Sequence, residues 1–444
     1  MEQIRTQWQN KVFLALIAGL VVRLATAPYL EHAATYETME EIDLLFVSGY
    51  NPLELVAAKG TTYYLFHVPA RVIYSVFNIF GIYSYSILLF SMKIPALLCD
   101  VVIFYVLYEL TFAVTKDKNK SLSIGLIYFF NPYVIIFLVQ GHADQLVSMF
   151  ILLSFLFLIR EKISYSAICL SLAAFVIFFP IFLLPCFLVY LWRLGRNKLS
   201  KFLGIFTVSF GILIIPYLSF FIPVYQSSPS AFLTLVGNWI GYGAGGPTHL
   251  PFMPDYSDFT WNFTGFLAKM NIWPFVDNLF GYSSLLILLS IVLVFTMKRI
   301  LSSPLETSQM ISLLNRFAII MFALIIVCFP LAQGHYLTWV LPLLLLESIV
   351  FCSFPLYYVH AIWVSSVVMD PFIGFNWGWW FENSFGYWGT LNIVKGKWRP
   401  ALNNRDLKSV LSVLIGLYYV LVIIMCSRPR KTITSNNTSN KQVV

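Results

Sequence analysis

Long apolar runs, separated by short polar breaks, set the pattern of this chain. They cover residues 11–28, 85–114, 122–140, 145–160, 163–178, 180–194, 202–223, 283–298, 316–330, 337–352, 354–369 and 408–427. About 20 apolar residues of helix cross a bilayer core roughly 30 Å thick. The pattern therefore predicts an all-α multi-spanning membrane protein with about 12 transmembrane helices and long outer loops. The first run continues as an ordinary span without a small-residue cleavage site, so it reads as a retained helix. Residues 1–427 are expected to form one integral-membrane unit. The polar end "TITSNNTSNKQVV" places 428–444 in a disordered cytoplasmic tail.

Composition agrees. Of 444 residues, 59% are hydrophobic and 11% charged, whereas a soluble domain carries about 25% charged residues. The net charge of +8 resides mostly at the ends of the apolar runs, so it gives no reason to expect nucleic acid. Cys99, Cys169, Cys186, Cys328, Cys352 and Cys426 lie in or beside apolar runs without CxxC spacing. They read as small buried hydrophobes, not as a disulfide framework or a thiolate metal site.

The basic residues orient the spans. Arg5 and Lys11, Lys116 to Lys120, Arg160 and Lys162, Arg193 to Lys201, Lys298 to Arg316, and Arg428 to Lys431 all fall on one side if the spans are counted as above. By the positive-inside rule that side is the cytoplasm. The opposite, outer side receives the loops 29–84, 224–282 and 370–407 and the turns "QGHADQ" and "LAQGHYLTW". The segment "TTYYLFHVPARVIYSVFNIF" is short of a clean span. It is expected either to lie along the outer leaflet or to pack as a further helix.

Several polar residues fall on that outer side. In "YETMEEIDLLFVSGYNPLEL", Glu37, Glu40, Glu41 and Asp43 crowd the start of an amphipathic helix. They either complement its dipole or point one carboxylate into a cavity as a general base. Asp100 sits inside an apolar run, where an acid is costly; Lys93 lies two turns earlier on the same face. Asp100 is thus a buried structural partner or a catalytic group. Gly141 permits a tight turn that carries Gln140, His142 and Asp144, and Asp144 also suits an N-cap. His335 and Tyr336 occupy a second Gly-His turn, where an imidazole suits a lipid phosphate. The histidines show no metal-ligand spacing, so no structural metal is expected, although carboxylates could hold a loose Mg or Mn ion.

"KIPALLCDVV", "NPYVIIFLVQGHADQL" and "QGHYLTWVLPLLL", in this order, resemble polyprenyl-phosphate-sugar-dependent glycosyltransferases of the GT-C fold. The branch most resembled is that of bacterial and archaeal polyprenyl-phosphate-mannose mannosyltransferases, and more remotely the first GPI mannosyltransferase. The resemblance implies a GT-C-like fold and a mannosyl transfer, with inversion, from a polyprenyl or dolichyl phosphate to a glycan or glycolipid acceptor. It implies Glu37 as catalytic base with Asp144 as a rival or aid. Gln140, His142, His335, Tyr336 and Lys93 would hold the donor, with Glu40, Glu41 and Asp100 in support. Ile177 stands where the family has Lys, and Thr35 where an Asp is expected. An archaeal or bacterial plasma membrane is the expected location and the endoplasmic reticulum the alternative, with the active site on the outer side. Two other readings stay open. One is a transporter or flippase, which the absence of a repeat disfavours. The other is a non-catalytic relative that binds a polyprenyl lipid or scaffolds a complex.

Overall fold

The computed structural model describes residues 2–26, 61–82, 85–131, 134–135, 145–177, 179–227, 278–302, 307–328, 337–350 and 417–427. Among these the secondary structure is helical and contains no strand. The helices are α1 (Glu2–Thr26), α2 (Thr61–Ile79), α3 (Tyr85–Thr115), α4 (Lys118–Phe129), α5 (Gln145–Ile159) and α6 (Ile163–Val176). A 3₁₀ turn (Phe179–Leu183) leads into α7 (Leu184–Leu194), followed by α8 (Arg196–Ser227), α9 (Asn278–Ser302) and α10 (Thr307–Cys328). Then come α11 (Leu337–Leu345), a π-helical turn (Leu346–Val350) and α12 (Leu417–Ser427).

Local chemistry sets several of these ends. Asp117 caps α4: its Oδ1 accepts from the backbone N–H of Asn119 at 2.9 Å and of Lys120 at 3.1 Å. Gly195 closes α7 at φ 130°, a backbone angle that residues with a Cβ rarely adopt, and α8 starts at the next residue. Helix α4 ends just ahead of Asn131-Pro132, as the restricted conformation before proline predicts.

An inner group of helices forms the core. α5 and α6 make an antiparallel hairpin, covered by α8 on one side and α3 on the other. Its two backbones are held close by serines. Ser154 Oγ donates to the Ser166 carbonyl at 3.0 Å, and Ser166 Oγ donates to the Ser154 carbonyl at 2.9 Å. Small polar residues serve this purpose in bundles that lack a hydrophobic drive between helices. α3 also packs against α2 and α4. The α3–α4 approach relies on Gly125, where a Cβ would lie 2.8 Å from the Phe104 ring. On the far flank α10 packs on α9 and α11, and α11 returns to α5.

Burial separates inner from outer helices. In the most apolar stretch of Ser308–Val327 on α10, 89% of the residues are buried, against 11% in that of Arg196–Ile215 on α8. Val208, Ile212 and Ile215 on α8 are exposed apolar residues. So are Ile291, Val294 and Phe295 on α9. Such faces suit lipid contact.

The span count needs correction. Three described helices are long and apolar enough to cross a membrane: Phe90–Thr115, Arg196–Ile215 and Ser308–Val327. α4, α5 and α6, with 12, 15 and 14 residues, reach only about 18–23 Å at ~1.5 Å per residue. They are buried bundle helices, too short individually for a full crossing. About twelve spans are therefore not established, and the helical layout does not by itself establish a GT-C-like fold. A helical, multi-pass membrane architecture is established. The segment 354–369 and most of the three outer loops lie outside the described residues. α2 packs on α3 through one side, with Ala70 buried, while Val72, Val76 and Ile79 are exposed. Arg316 does not sit in a basic loop. α10 starts at Thr307, nine residues earlier than the charge suggested, and Arg316 is buried within it.

Gly19 of α1 offers a test of this packing. A Cβ built there would overlap the Phe129 ring of α4. Gly19→Ala is expected to destabilise the protein by about 1–3 kcal/mol, read as a lowered thermal midpoint of the detergent-solubilised chain. An unchanged midpoint would show that α1 does not pack on α4 in this way.

Candidate functional site

Charged groups inside an apolar bundle must pair or face a cavity, and the described residues contain two such clusters. The first ties three helices together. Arg23 of α1 and Asp100 of α3 are both fully buried, and Arg23 Nε donates to Asp100 Oδ2 at 3.3 Å. Tyr128 of α4 donates its hydroxyl to Asp100 Oδ1 at 2.8 Å. Each carboxylate oxygen thus accepts one bond. The Arg23 guanidinium also lies over the Phe129 ring, 3.8 Å from its centroid, and Nη1 donates to the Gly19 carbonyl at 3.3 Å. An uncapped glycine face, a ring and a carboxylate together enclose one cation.

The second cluster joins α10 to the turn after α11. Arg316 Nε donates to Glu347 Oε1 at 2.6 Å. The neighbouring Asn315 donates Nδ2 to the Leu343 carbonyl at 3.1 Å and to Glu347 Oε2 at 3.4 Å. Glu347 lies in the π-helical turn. There the backbone widens by one residue after Pro342, a distortion frequent at functional or strained positions.

A third feature lies at the end of the bundle where α5 and α11 begin. Ser148, in the first turn of α5, donates Oγ to the carbonyls of Thr338 at 3.3 Å and Trp339 at 3.0 Å, in the first turn of α11. Trp339 in turn packs on Phe322 of α10, ring centroids 5.5 Å apart. Gln145 stands one turn before Ser148, on the same side of α5. It is buried, and among the described residues neither its amide oxygen nor its amide nitrogen has a hydrogen-bond partner. An unmet buried amide is destabilising by about 1–3 kcal/mol for each lost partner.

The residues expected from sequence divide accordingly. Asp100 is placed as a structural partner: its carboxylate is taken by Arg23 and Tyr128 and not by Lys93. Lys93 is buried on α3, about 10 Å nearer its N-terminus than Asp100. Ile177 ends α6 in extended conformation and is buried among apolar neighbours. Glu37, Glu40, Glu41, Gln140, His142, Asp144, His335 and Tyr336 lie outside the described residues. The two Gly-His segments directly precede α5 and α11 in the sequence, and those helices start side by side. Sequence reasoning passed over Arg23, Tyr128, Asn315 and Glu347. The signal was present in Arg23 and Glu347, two opposite charges lying within predicted spans. Cys99, Cys169, Cys186 and Cys426 are buried free thiols. No group of metal-ligating side chains occurs among the described residues, which leaves a bound Mg or Mn ion untested.

Helices packed through buried charge pairs and apolar outer faces define a multi-pass helical membrane protein. Residues 54–239, from before α2 to beyond α8, match the family model of the GPI transamidase subunit PIG-U. Among curated proteins, none matches the chain. The family match overturns the sugar-transfer reading. The family is that of a transamidase subunit and not of a glycosyltransferase. The match therefore gives no support to a mannosyl transfer; Glu37, expected as its base, lies outside the described residues.

The Arg23–Asp100 pair gives a second test. Asp100→Leu leaves Arg23 buried beside an apolar side chain, and such loss of one partner costs about 3–5 kcal/mol. The double variant Arg23→Leu/Asp100→Leu removes both charges and is expected to recover most of that loss. Thermal unfolding of the three proteins in one detergent measures it. Equal destabilisation by the single and double variants would refute a paired role.

Proposed function

We propose that this chain is a non-catalytic membrane subunit of an assembly of the GPI transamidase type, resident in the endoplasmic reticulum membrane. The match of residues 54–239 to the PIG-U family carries this reading. That stretch holds α2 to α8, and with them Asp100, Tyr128, Gln145 and Ser148. Its chemistry suits a scaffold. Buried pairs fix the helices against one another, and apolar faces on α1, α8, α9 and α12 are available to lipid or to other membrane helices.

The α5–α11 seam is the part of the chain to which we give a binding role. Gln145 offers a buried donor and acceptor, and the segments that carry Gln140, His142, Asp144, His335 and Tyr336 precede the same two helices in the sequence. A hydroxyl- or phosphate-bearing group at the seam would satisfy the amide.

Two experiments test these statements. Depletion of the chain is expected to reduce the display of a GPI-anchored reporter, and the tagged chain, solubilised in a mild detergent, is expected to migrate within a larger stable complex. Unchanged reporter display together with a chain that migrates alone would refute the subunit role. For the seam, Gln145→Leu removes an unmet amide, so it is expected to retain or raise the thermal midpoint yet lower reporter display. Normal display in this variant would leave Gln145 a packing residue only.

A further inference from the structure

The opposite end of the bundle gathers positive charge from parts of the chain far apart in sequence. Four contacts assemble it. Arg160, after α5, pairs with Glu109 of α3. Lys198 Nζ of α8 lies 3.1 Å from Glu161 Oε2 in the α5–α6 turn. Arg193 at the end of α7 donates to the Ile300 carbonyl of α9. Arg299 of α9 donates to the Ser427 carbonyl at the end of α12. The C-terminal ends of α3, α5, α7, α9 and α12 therefore meet at one end of the molecule. In segments 109–120, 160–162, 193–201 and 298–299 there are eleven Lys and Arg against three carboxylates, Glu109, Asp117 and Glu161.

These carboxylates are already engaged. Glu109 and Glu161 are in ion pairs, and Asp117 caps α4. Lys116, Lys162, Arg196, Lys201 and Lys298 are exposed. The charge thus exceeds what the helix ends and the local acids neutralise. Tyr105, Tyr165 and Trp192 stand among these cations and are 49%, 57% and 55% exposed. Tyr105 is one turn from Glu109, Trp192 adjoins Arg193, and Lys162 Nζ sits 6.0 Å from the Tyr165 ring centroid. Half-exposed Tyr and Trp at the level of Lys and Arg mark the depth where acyl chains give way to headgroups.

We infer that this end of the bundle is a collar that binds the headgroups of anionic glycerophospholipids in the leaflet it meets. The charge surplus supplies the attraction, and the aromatic residues set the depth at which phosphates and lysines coincide. An acidic soluble partner would also find the cations. It would not account for the half-exposed aromatic side chains that accompany the cations on α6 and α7.

The experiment uses the full chain in nanodiscs of phosphatidylcholine alone or with about 30% phosphatidylserine, the latter an anionic lipid of the kind such collars take. Thermal midpoint is measured in both, and retained lipid is identified after extraction into detergent. The expected result is a higher midpoint with phosphatidylserine and about tenfold enrichment of that lipid over phosphatidylcholine, the preference given by one or two cations at a headgroup. High salt is expected to abolish both. The variant Arg196→Gln/Lys201→Gln/Lys298→Gln alters exposed side chains outside the four assembling contacts. It is expected to fold with an unchanged midpoint in phosphatidylcholine and to lose most of the enrichment. Equal midpoints in the two discs, equal lipid retention, or a variant as lipid-selective as the parent would overturn the proposal, and each would leave an acidic protein as the partner of this face.

Discussion

One arginine and one aspartate, 77 positions apart and both dry, hold the first part of this bundle together. Neither charge is tolerable alone in an apolar interior, so α1 must meet α3 at the level where Arg23 faces Asp100. Tyr128 adds α4 by completing the carboxylate, and the Phe129 ring closes over the guanidinium. Gly19 is the accommodation that follows: α1 needs a residue without a side chain where the ring passes. Packing of apolar side chains alone does not choose one rotation of a membrane helix over another, because lipid is as apolar as the neighbouring helix. A buried pair does choose.

The Arg316–Glu347 pair does the same for the second part. It sets the register of α10 against the turn that follows α11, and α11 is then clamped to α5 through Ser148. The two parts are joined where α3 packs on α5. Each polar contact restricts a degree of freedom that the lipid would leave open. Together these contacts fix the register of the described helices against one another.

Much of the helical layout was legible in the sequence. The runs 85–114, 145–160, 163–178 and 337–352 correspond closely to α3, α5, α6 and α11 with its π turn. The basic clusters at 116–120, 160–162, 193–201 and 298–299 do gather at one end, as the charge count required. Arg316 broke the rule because a span was started at the nearest charge, while the helix had absorbed that charge through a partner 31 residues away. Arg23 went unread for the same reason: hydropathy averages conceal a single paired charge. The resemblance to glycosyltransferases rested partly on "KIPALLCDVV". Its aspartate is spent on Arg23 and Tyr128, so that motif marks how helices are tied, not what chemistry they perform. Function on a shared architecture is decided by sites and partners.

The two ends of the molecule differ in kind, and the difference follows from helix direction. α5 and α11 start together at one end and run parallel toward the other, where α5, α7, α9 and α12 finish. The paired starts of α5 and α11 place the positive ends of their dipoles together at the seam, while the negative ends of α5, α7, α9 and α12 lie among the lysines and arginines. The cations answer the C-terminal dipoles and still leave charge over, which attracts phosphate from outside the chain. At the seam the unmet group is neutral, the Gln145 amide, which lacks both a donor and an acceptor. A group that is to satisfy it must supply both. The chain therefore meets its surroundings in two different ways: by surplus charge at one end, which is tolerant of the ligand's identity, and by an unsatisfied hydrogen-bond pair at the other, which is not.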